Sequence, residues 1–278
     1  MSESTTSLAG RTRPGRPQAV LTVLDRRWLS PHMVRITAGG PGFDALRVNE
    51  FTDKYAKLIF ADPGLGLTPP YDLAILRESL PPDKRPVTRT YTLRRADVER
   101  QQVAVDFVVH GDEGIAAPWA AHAEPGDTLT LSGAGGAYVP DPGSDWHLLA
   151  GDESALPAIC SALDALPRGA RGIAYLETCD PGEYLDATLP DGMELIWLHR
   201  PQPGSQPRML ADALQDGPWL PGRADVFAHG ERESIKAVRA ALKGRLRDGD
   251  QLSLSGYWAS GRTEDVFQAE KREPIGQI

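Results

Sequence analysis

The chain has 278 residues, of which 41% are hydrophobic and 24% charged, which is typical of a globular protein with one large or two medium domains. Its formal net charge of −8 excludes a general nucleic-acid binder but is compatible with a local basic pocket. No apolar run is long enough to cross a bilayer, no secretory signal pattern opens the chain, and the two cysteines, Cys160 and Cys179, lie far apart, as expected of thiols in a reducing cytoplasm.

The first half of the chain is rich in strand patterns. Residues 1–16 are polar and contain Gly and Pro, so we expect a disordered tail. Residues 81–86 carry three prolines and predict a loop. Six β-branched or alternating runs with one inserted helix predict a small antiparallel barrel. The predicted strands are residues 18–24, 33–37, 55–60, 88–94, 103–109 and 128–132.

The fourth of these strands reads Arg89-Thr-Tyr-Thr-Leu-Arg94. Alternate strand residues share a face, so Arg89 and Tyr91 lie on one side and Thr90 and Thr92 on the other. An Arg fork suits a pyrophosphate and a Tyr ring suits a flat heterocycle, which together indicate a flavin dinucleotide. The alternative is an ordinary strand, because Thr and Tyr favour strands in any case.

A strand, a turn and a helix follow. Residues 103–109 are largely apolar, Gly111 and Gly114 break the run, and residues 115–123 have helical composition, with Pro118 tolerated in the first turn. Free backbone amides at such a helix start form an anion site, which fits a pyrophosphate. A plain strand–turn–helix connection is the alternative.

The second half alternates between strands and helices, which predicts an open parallel α/β layer. The junction falls in the proline- and glycine-containing segment at residues 140–144. The predicted strands are residues 146–150, 172–177, 194–198, 224–228 and 252–257, and the predicted helices are 155–166, 208–215 and 234–246.

Two βα turns in this half have the features of a nucleotide site. In Gly151-Asp-Glu-Ser-Ala-Leu-Pro157, Gly151 permits close backbone approach, Ser154 can cap the helix and Pro157 lies early in it. The segment is not Gly-x-Gly-x-x-Gly, so it departs from the dinucleotide fingerprint. A similar turn surrounds Gly230. Glu177, at a strand end, can hold a nicotinamide carboxamide or ribose hydroxyl; the alternative for Glu177 and Glu231 is a helix cap or a surface acid.

The last strand ends in Gly256-Tyr-Trp258. These neighbouring rings can cover a flavin or a nicotinamide, or Trp258 can be a core residue whose N–H is satisfied. The six His residues form no His-x-x-His cluster and the cysteines no Cys-x-x-Cys cluster, so we predict no protein metal site.

Five motifs now stand in one order: Arg89-Thr-Tyr-Thr, His110-Gly111 with Ala116-Ala117 and Trp119, Gly151 to Pro157, His229-Gly230-Glu231, and Gly256-Tyr-Trp258. In this the chain resembles the siderophore-interacting proteins, the flavin-dependent ferric-siderophore reductases of the vibriobactin-utilisation type, from about residue 17 to about residue 270. Their architecture is similar to that of the ferredoxin-reductase superfamily.

The resemblance implies an FAD-binding barrel at residues 17–142 and an NAD(P)H-binding α/β domain at 143–278 with a C-terminal helix. It implies a cytoplasmic, monomeric enzyme that passes electrons from NAD(P)H through FAD to a ferric siderophore, without nucleic-acid partners or stable membrane association. The cofactor-binding residues that it indicates are Arg89, Thr90, Tyr91, Thr92, Asp106, Val108, His110, Gly111, Ala116, Ala117, Trp119, Gly151, Asp152, Glu153, Ser154, Glu177, His229, Gly230, Glu231, Tyr257 and Trp258.

The substrate mouth is where this chain departs from the family. Ferric siderophores are often anionic, and Lys57 matches a family position lining a basic mouth; its alternative is a solvated strand lysine. Where many members have Gly-Pro-Arg-Gly, this chain has Gly135 in place of the arginine, and Ala259 and Ser260 replace arginines after Tyr-Trp. Arg262 can compensate. These changes predict a weaker cationic pocket.

In the pyrophosphate turn, Ile115 replaces a proline that is common in the family. We expect flavin binding to tolerate this change, because the backbone amides make the contacts.

The electron donor and the acceptor stay open at this point. Arg200, Arg208 and Arg232, with His199 adjacent, are candidates for a 2′-phosphate and favour NADPH over NADH, although all can be surface charges. Some relatives suit a ferredoxin-type donor. A general flavin reductase or electron-transfer flavoprotein with another acceptor, and a flavin-binding module without turnover, are the alternatives. Residues 265–273 have helical composition and can pack across the cofactor cleft as a lid.

Overall fold

The computed structural model describes residues 16–111, 114–201 and 206–278. The predicted N-terminal tail, apart from Arg16, lies outside the described residues. Among the residues that are described, no helix has both the length and the apolar character needed to cross a bilayer.

The first half forms a closed antiparallel barrel, as predicted. Its strand order is β1-β2-β5-β4-β3-β6, so each strand has a neighbour on both sides and the barrel has no free edge. The strands are β1 (Gln18–Ser30), β2 (Met33–Gly39), β3 (Tyr55–Phe60), β4 (Val87–Asp97), β5 (Gln102–Val108) and β6 (Thr128–Gly135).

Several strands are longer than the sequence predicts. β1 continues to Ser30 because Asp25 to Trp28, although exposed and mostly charged, pair with β2 in an antiparallel ladder that has a register shift at each end of this stretch. β4 continues to Asp97 for the same reason, through a ladder with β5 that contains one register shift. Exposed residues in such a strand extension need no alternation of apolar side chains, so hydrophobic periodicity does not reveal them.

Two α-helices accompany the barrel, one more than predicted. The unpredicted one, α1 (Leu73–Ser79), begins where the Asp72 carboxylate accepts hydrogen bonds from the Ala74 and Ile75 amides, both at 3.1 Å. The predicted one is α2 (Ala116–His122), with Pro118 in its first turn. Short 3-10 helices occupy Pro41–Leu46, Pro63–Leu65 and, inside the predicted 81–86 loop, Pro82–Lys84.

The second half forms a five-stranded, fully parallel sheet of order β11-β10-β7-β8-β9, again as predicted. The chain starts in the middle of the sheet, adds β8 and β9 on one side, and then crosses to add β10 and β11 on the other. The switch point therefore lies between β7 and β10, where α/β sheets form a ligand crevice. The strands are β7 (Trp146–Asp152), β8 (Arg171–Thr178), β9 (Gly192–His199), β10 (Ala224–Glu231) and β11 (Gln251–Trp258).

Helices cover both faces of this sheet: α3 (Leu156–Ala165) on one face, and α4 (Met209–Asp216) and α5 (Arg232–Leu242) on the other. A further helix, the C-terminal α6 (Glu264–Glu270), contacts the barrel. α5 ends four residues before the predicted end at Leu246, since Gly244 and the following turn end the helix. The prediction that Ser154 caps α3 is wrong: the helix has no side-chain cap, and Ser154 instead donates to Asp152.

The hydrophobic core has three parts. One fills the barrel, around Phe107 and Leu131, and one lies on each face of the parallel sheet. The sheet core that contains Leu149 and Leu176 also takes in Met33 and, at its margin, Val108, both from the barrel. The barrel therefore packs directly on one face of the sheet.

Charged contacts reinforce this packing. Arg35 of β2 binds both oxygens of Asp106 within the barrel at 2.6 Å and reaches Asp186, in the β8–β9 connection, at 2.5 Å. Arg94 of β4 is 2.7 Å from Asp164 of α3. The side chains of Arg35 and Arg94 are only 7% and 2% exposed. Two buried guanidinium groups from the barrel thus meet carboxylates of the second half.

Candidate functional site

The barrel strand β4 faces the carboxyl end of the parallel sheet. Leu93 is fully buried in the barrel core and Tyr91 packs on Phe107 with ring centroids 4.4 Å apart, so this side of β4 points inward. Thr92, on the other side, lies close to the Tyr257 hydroxyl at the end of β11. The predicted alternation of β4 holds, and the side that carries Thr90 and Thr92 lies against the second half of the chain.

Tyr91 is more enclosed than a freely presented stacking ring. It is partly buried against the barrel core, and burial raises the pKa of its hydroxyl to about 12. Trp119 of α2 also packs inside the barrel, at 5.5 Å from the Phe60 ring and 5.9 Å from the Phe107 ring. Tyr91 and Trp119 therefore both pack against Phe107 in the barrel core.

Helix α6 crosses the outer end of β4. Glu264 accepts a hydrogen bond from the Thr90 hydroxyl at 2.8 Å and lies 3.8 Å from Lys57, which donates to the same hydroxyl. Asp265 lies 3.6 Å from Arg89. The predicted helix at the C-terminus therefore spans the predicted cofactor strand, with two acids against two cations.

The β5–α2 connection bears the predicted pyrophosphate turn. Gly111 and Gly114 have φ values of +72° and +85°, in the region that favours glycine. Ala116 and Ala117 open α2, and no side chain of the described residues caps its first amides, which are groups that can bind another acceptor. Asp106, by contrast, accepts hydrogen bonds from Nε and Nη2 of Arg35, so its carboxylate has a structural role in this arrangement.

Asp152, at the end of β7, connects the ends of three strands, β7, β10 and β11. This buried carboxylate accepts hydrogen bonds from the Ser154 amide at 2.9 Å, the Glu231 amide at 2.8 Å and the Trp258 indole N–H at 2.8 Å. Burial raises its pKa. Gly151 is needed beside it, because a Cβ there would lie 2.6 Å from the His229 carbonyl oxygen. The absence of a side chain at Gly151 thus allows the backbones of β7 and β10 to approach each other closely.

A buried ion cluster lies beyond it, at the ends of β7, β8 and β9. Arg200 is 2.5 Å from Glu153 and 3.1 Å from Glu177, and all three side chains are at most 7% exposed. Glu153 also accepts the Cys179 amide hydrogen bond at 2.7 Å. Burial raises the pKa of Glu177 to about 7, even though the Arg200 guanidinium opposes the rise. One Glu177 oxygen, Oε2, has no hydrogen-bond partner among the described residues.

The β10 end is tied to β11. His229 is hydrogen-bonded to the Tyr257 hydroxyl at 3.1 Å and to the Ser253 hydroxyl at 2.9 Å, and burial lowers its pKa to about 3. It is therefore a neutral ring that orients Tyr257. Glu231 caps α5 by accepting the Glu233 and Ser234 amides at 2.7 and 2.9 Å, which is the structural alternative expected for this acid.

The three arginines considered for a 2′-phosphate all have carboxylate partners. Arg200 has Glu153 and Glu177; Arg208 is 2.6 Å from Asp212. Arg232 is 2.5 Å from Glu270 of α6. His199 lies 3.2 Å from the Thr178 hydroxyl. A 2′-phosphate would have to compete with these partners.

Arg262 is paired with Glu270 and is not among the described residues that line the cavity beside Lys57. Its guanidinium lies 2.7 Å from Glu270, which also binds Arg232. Lys57 instead lines a cavity of about 400 Å³ on the outside of the barrel, together with Tyr55 and Gly135. Ala259 is 2% exposed, so the position after Tyr-Trp is interior here.

Two features of the site were missed in the sequence. Asp152 looked like one member of a turn, yet it joins three strands, and Arg200 looked like a ligand for phosphate, yet it neutralises Glu153 and Glu177. The signal available was that Glu153, Glu177 and Arg200 each stand at or just after the carboxyl end of a predicted parallel strand.

The residues fit a dinucleotide flavin and a nicotinamide in three respects. Among the described residues, no side chain caps α2, the Thr92 side chain lies close to the Tyr257 hydroxyl, and Glu177 has an unpartnered oxygen at the carboxyl end of β8. Each is a polar group of the kind that such cofactors satisfy.

Comparison with known proteins agrees with this geometry. The siderophore-interacting FAD-binding domain matches residues 22–138 and the siderophore-interacting protein model matches residues 144–261. The ferric vibriobactin reductase ViuB of Vibrio cholerae is 32% identical over 261 residues, covering 91% of this chain and 93% of that protein. The NADPH-dependent ferric-chelate reductase of Escherichia coli is 29% identical over 245 residues, covering 86% and 91%. The crystal structure of a siderophore utilization protein from T. fusca has a TM-score of 0.74 at 35% identity, covering 88% and 94%.

Proposed function

The chain belongs to the siderophore-interacting protein family, and from this we propose that it is an FAD-dependent oxidoreductase that passes electrons from NAD(P)H through FAD to siderophore-bound ferric iron. The FAD unit would be residues 17–142 and the NAD(P)H unit residues 143–278, in the cytoplasm where the reductant is available. The relatives named as ferric vibriobactin reductase and NADPH-dependent ferric-chelate reductase support the reaction class.

The observation that supports this best is the meeting of the two units. Thr92, in the Arg-Thr-Tyr-Thr strand, lies close to Tyr257 at the carboxyl end of the parallel sheet, and Thr90 donates a hydrogen bond to Glu264 of α6 at 2.8 Å. Val108, at the end of β5, packs in the same core as Leu149 of β7. This contact supports the proposal, because two cofactor sites, one on each unit, would lie close together, as electron transfer between two cofactors requires.

On the barrel side, Arg89 and the uncapped amides of α2 would hold the pyrophosphate, and the hydroxyls of Thr90 and Thr92 would bind the ring edge. A flavin held there would supply the link between a two-electron hydride donor and a one-electron acceptor such as ferric iron. Ferrous iron suits hard oxygen ligands less well than ferric iron does, so reduction of the ferric ion would loosen its chelate.

On the sheet side, the Gly151 turn would approach the nucleotide, and the free Glu177 oxygen would accept a hydrogen bond from the nicotinamide carboxamide. His229 holds Tyr257 in place and stays neutral, so it supplies orientation and no proton. Arg200, Arg208 and Arg232, the candidates for a 2′-phosphate, are all paired with carboxylates. The preference for NADPH is therefore supported by the Escherichia coli relative, which is named as an NADPH-dependent reductase.

The test is a spectrum of the purified protein loaded with FAD under anaerobic conditions. We expect NADPH to bleach the flavin absorbance and a ferric chelate to restore it. Faster turnover on free flavin than on ferric chelates would favour a general flavin reductase. Bound FAD that NADPH cannot reduce would contradict the proposal and favour a binding module or a ferredoxin-type donor.

We expect Arg89→Ala to raise the dissociation constant of FAD roughly tenfold to a hundredfold, because a charge-assisted hydrogen bond is worth about 1.5–3 kcal/mol. Arg89 is 19% exposed. The control is Arg100→Ala, which removes a 76% exposed arginine beyond the end of β4. Titration of the apoprotein with FAD measures both; equal affinities would show that Arg89 is only structural.

A further inference from the structure

The cavity beside Lys57 is unusually basic for this chain. Three of the described residues that line it are cations, Arg16, Arg47 and Lys57, and none of the described lining residues is acidic. The whole chain, by contrast, carries 38 acidic against 30 basic residues. Random placement of surface charge does not favour such a cluster, and like charges gathered around one concave surface attract anions.

Arg47 is held in this cluster by a strained backbone. It follows the 3-10 helix Pro41–Leu46 with a φ of +50°, a conformation that non-glycine residues rarely adopt. Residues kept in such conformations cluster at binding sites, where the surrounding structure enforces them. Arg47 and Arg16 are exposed, and neither has a carboxylate partner within 4 Å in the part of the chain that the structure describes.

The Tyr55 ring lies against Gly135 in the same cavity. A Cβ built at Gly135 would lie 2.4 Å from Cζ of the Tyr55 ring, so the ring occupies the space of a side chain at this position. Asn49 fixes the backbone here by donating to the Ala134 and Gly135 carbonyls, both at 3.2 Å. The family arginine at Gly135 is thus replaced by an aromatic ring, and cationic charge reaches the cavity from two other segments.

The cavity also adjoins the predicted flavin strand. Lys57 lies on β3, pairs across to Thr90 of β4, and donates a hydrogen bond to the Thr90 hydroxyl. A ligand in the cavity would therefore lie next to the Arg-Thr-Tyr-Thr segment, where a ferric centre must come to accept an electron.

We propose that Arg16 and Arg47, with Lys57, form the substrate mouth of this chain and select ferric chelates of net negative charge. The proposal rests on the proposed function for the identity of the ligand as a metal chelate. It replaces the expectation that the loss of arginines at Gly135, Ala259 and Ser260 leaves a weaker cationic pocket, and it assigns to Arg16 and Arg47 the role predicted for Arg262.

The test measures binding with gallium(III) complexes, which have the charge of the ferric ones but accept no electron from the flavin. The full-length, FAD-loaded protein is titrated calorimetrically with trianionic gallium tris(catecholate) and with neutral gallium tris(acetohydroxamate). The test variant carries two substitutions, Arg16→Gln and Arg47→Asn. Asn is chosen at position 47 because it tolerates the positive φ found there. Arg47→Lys keeps the charge, and Arg27→Gln removes an exposed arginine of β1 outside the cavity.

We expect the double variant to weaken binding of the trianion roughly fivefold to tenfold and that of the neutral complex less than twofold, since exposed charge pairs contribute up to about 1 kcal/mol each. Arg47→Lys and Arg27→Gln should bind like the wild type. An unaltered trianion affinity in the double variant, equal losses for both complexes, or no trianion binding by the wild type would overturn the proposal. Failure of NADPH to reduce the flavin would instead count against the proposed function, because gallium binding requires no turnover.

Discussion

Replacing Arg35 by Met is expected to lower the free energy of unfolding by about 3–5 kcal/mol, because it leaves the Asp106 and Asp186 carboxylates without their shared cation. The Arg35 and Asp106 side chains are 7% and 5% exposed, so water cannot replace the lost hydrogen bonds. Urea unfolding followed by circular dichroism measures the loss.

The matched control is Arg95→Met. Arg95 lies 3.6 Å from the same Asp186 carboxylate, but its side chain is 61% exposed, so we expect a loss of about 1 kcal/mol or less. Similar losses in the two variants would show that burial of the Arg35 pair contributes nothing beyond an ordinary surface contact.

Replacing Arg200 by Met is expected to cost a similar amount, about 3–5 kcal/mol, at pH 8, since Glu153 and Glu177 would remain buried without a counter-charge. Here the cost should depend strongly on pH, because the carboxyl groups can take up a proton and become neutral. Arg208→Met, at an exposed pair with Asp212, is the control for which we expect little change.

The direction of the pH dependence follows from Glu177. Its pKa is about 7 in the folded protein and 4.5 ordinarily, so the folded state binds more protons between these values. Stability from this group therefore falls as pH rises from 4.5 to 7, by at most about 1.4 kcal/mol per pH unit. Loss of Arg200 should raise this pKa further, and the gap between variant and wild type should narrow from pH 8 to pH 5. A constant gap would show that the carboxylates stay ionised or become hydrated.

The architecture could be predicted because its signals are local. Barrel strands such as β3 and β5 have β-branched, apolar runs between turns, and the second half alternates strand and helix patterns along the chain. The polar extension of β1 and the short helix α1 could not be predicted in this way, since pairing partners and a single Asp72 cap decide them.

The candidate site divides in the same manner. Motif positions such as Gly151 and Trp258 lie at the strand ends where the pattern puts them. Their partners do not follow from the pattern, because Trp258 meets Asp152 across 106 residues and Arg35 meets Asp106 across 71. Charge neutralisation over such separations depends on the packed structure, and this is why Arg200, Arg232 and Arg262 looked available in the sequence.

The ion pairs between the barrel and the sheet also restrict how this chain can exchange parts with its relatives. Arg94 and Arg35 belong to the barrel, whereas Asp164 and Asp186 belong to the other half. A recombinant that joins this barrel to a relative's sheet would bury two guanidinium groups unless acids stand at both corresponding positions. Exchange by gene fusion is therefore expected to succeed only between parents that share this pattern of charges, whatever their overall identity.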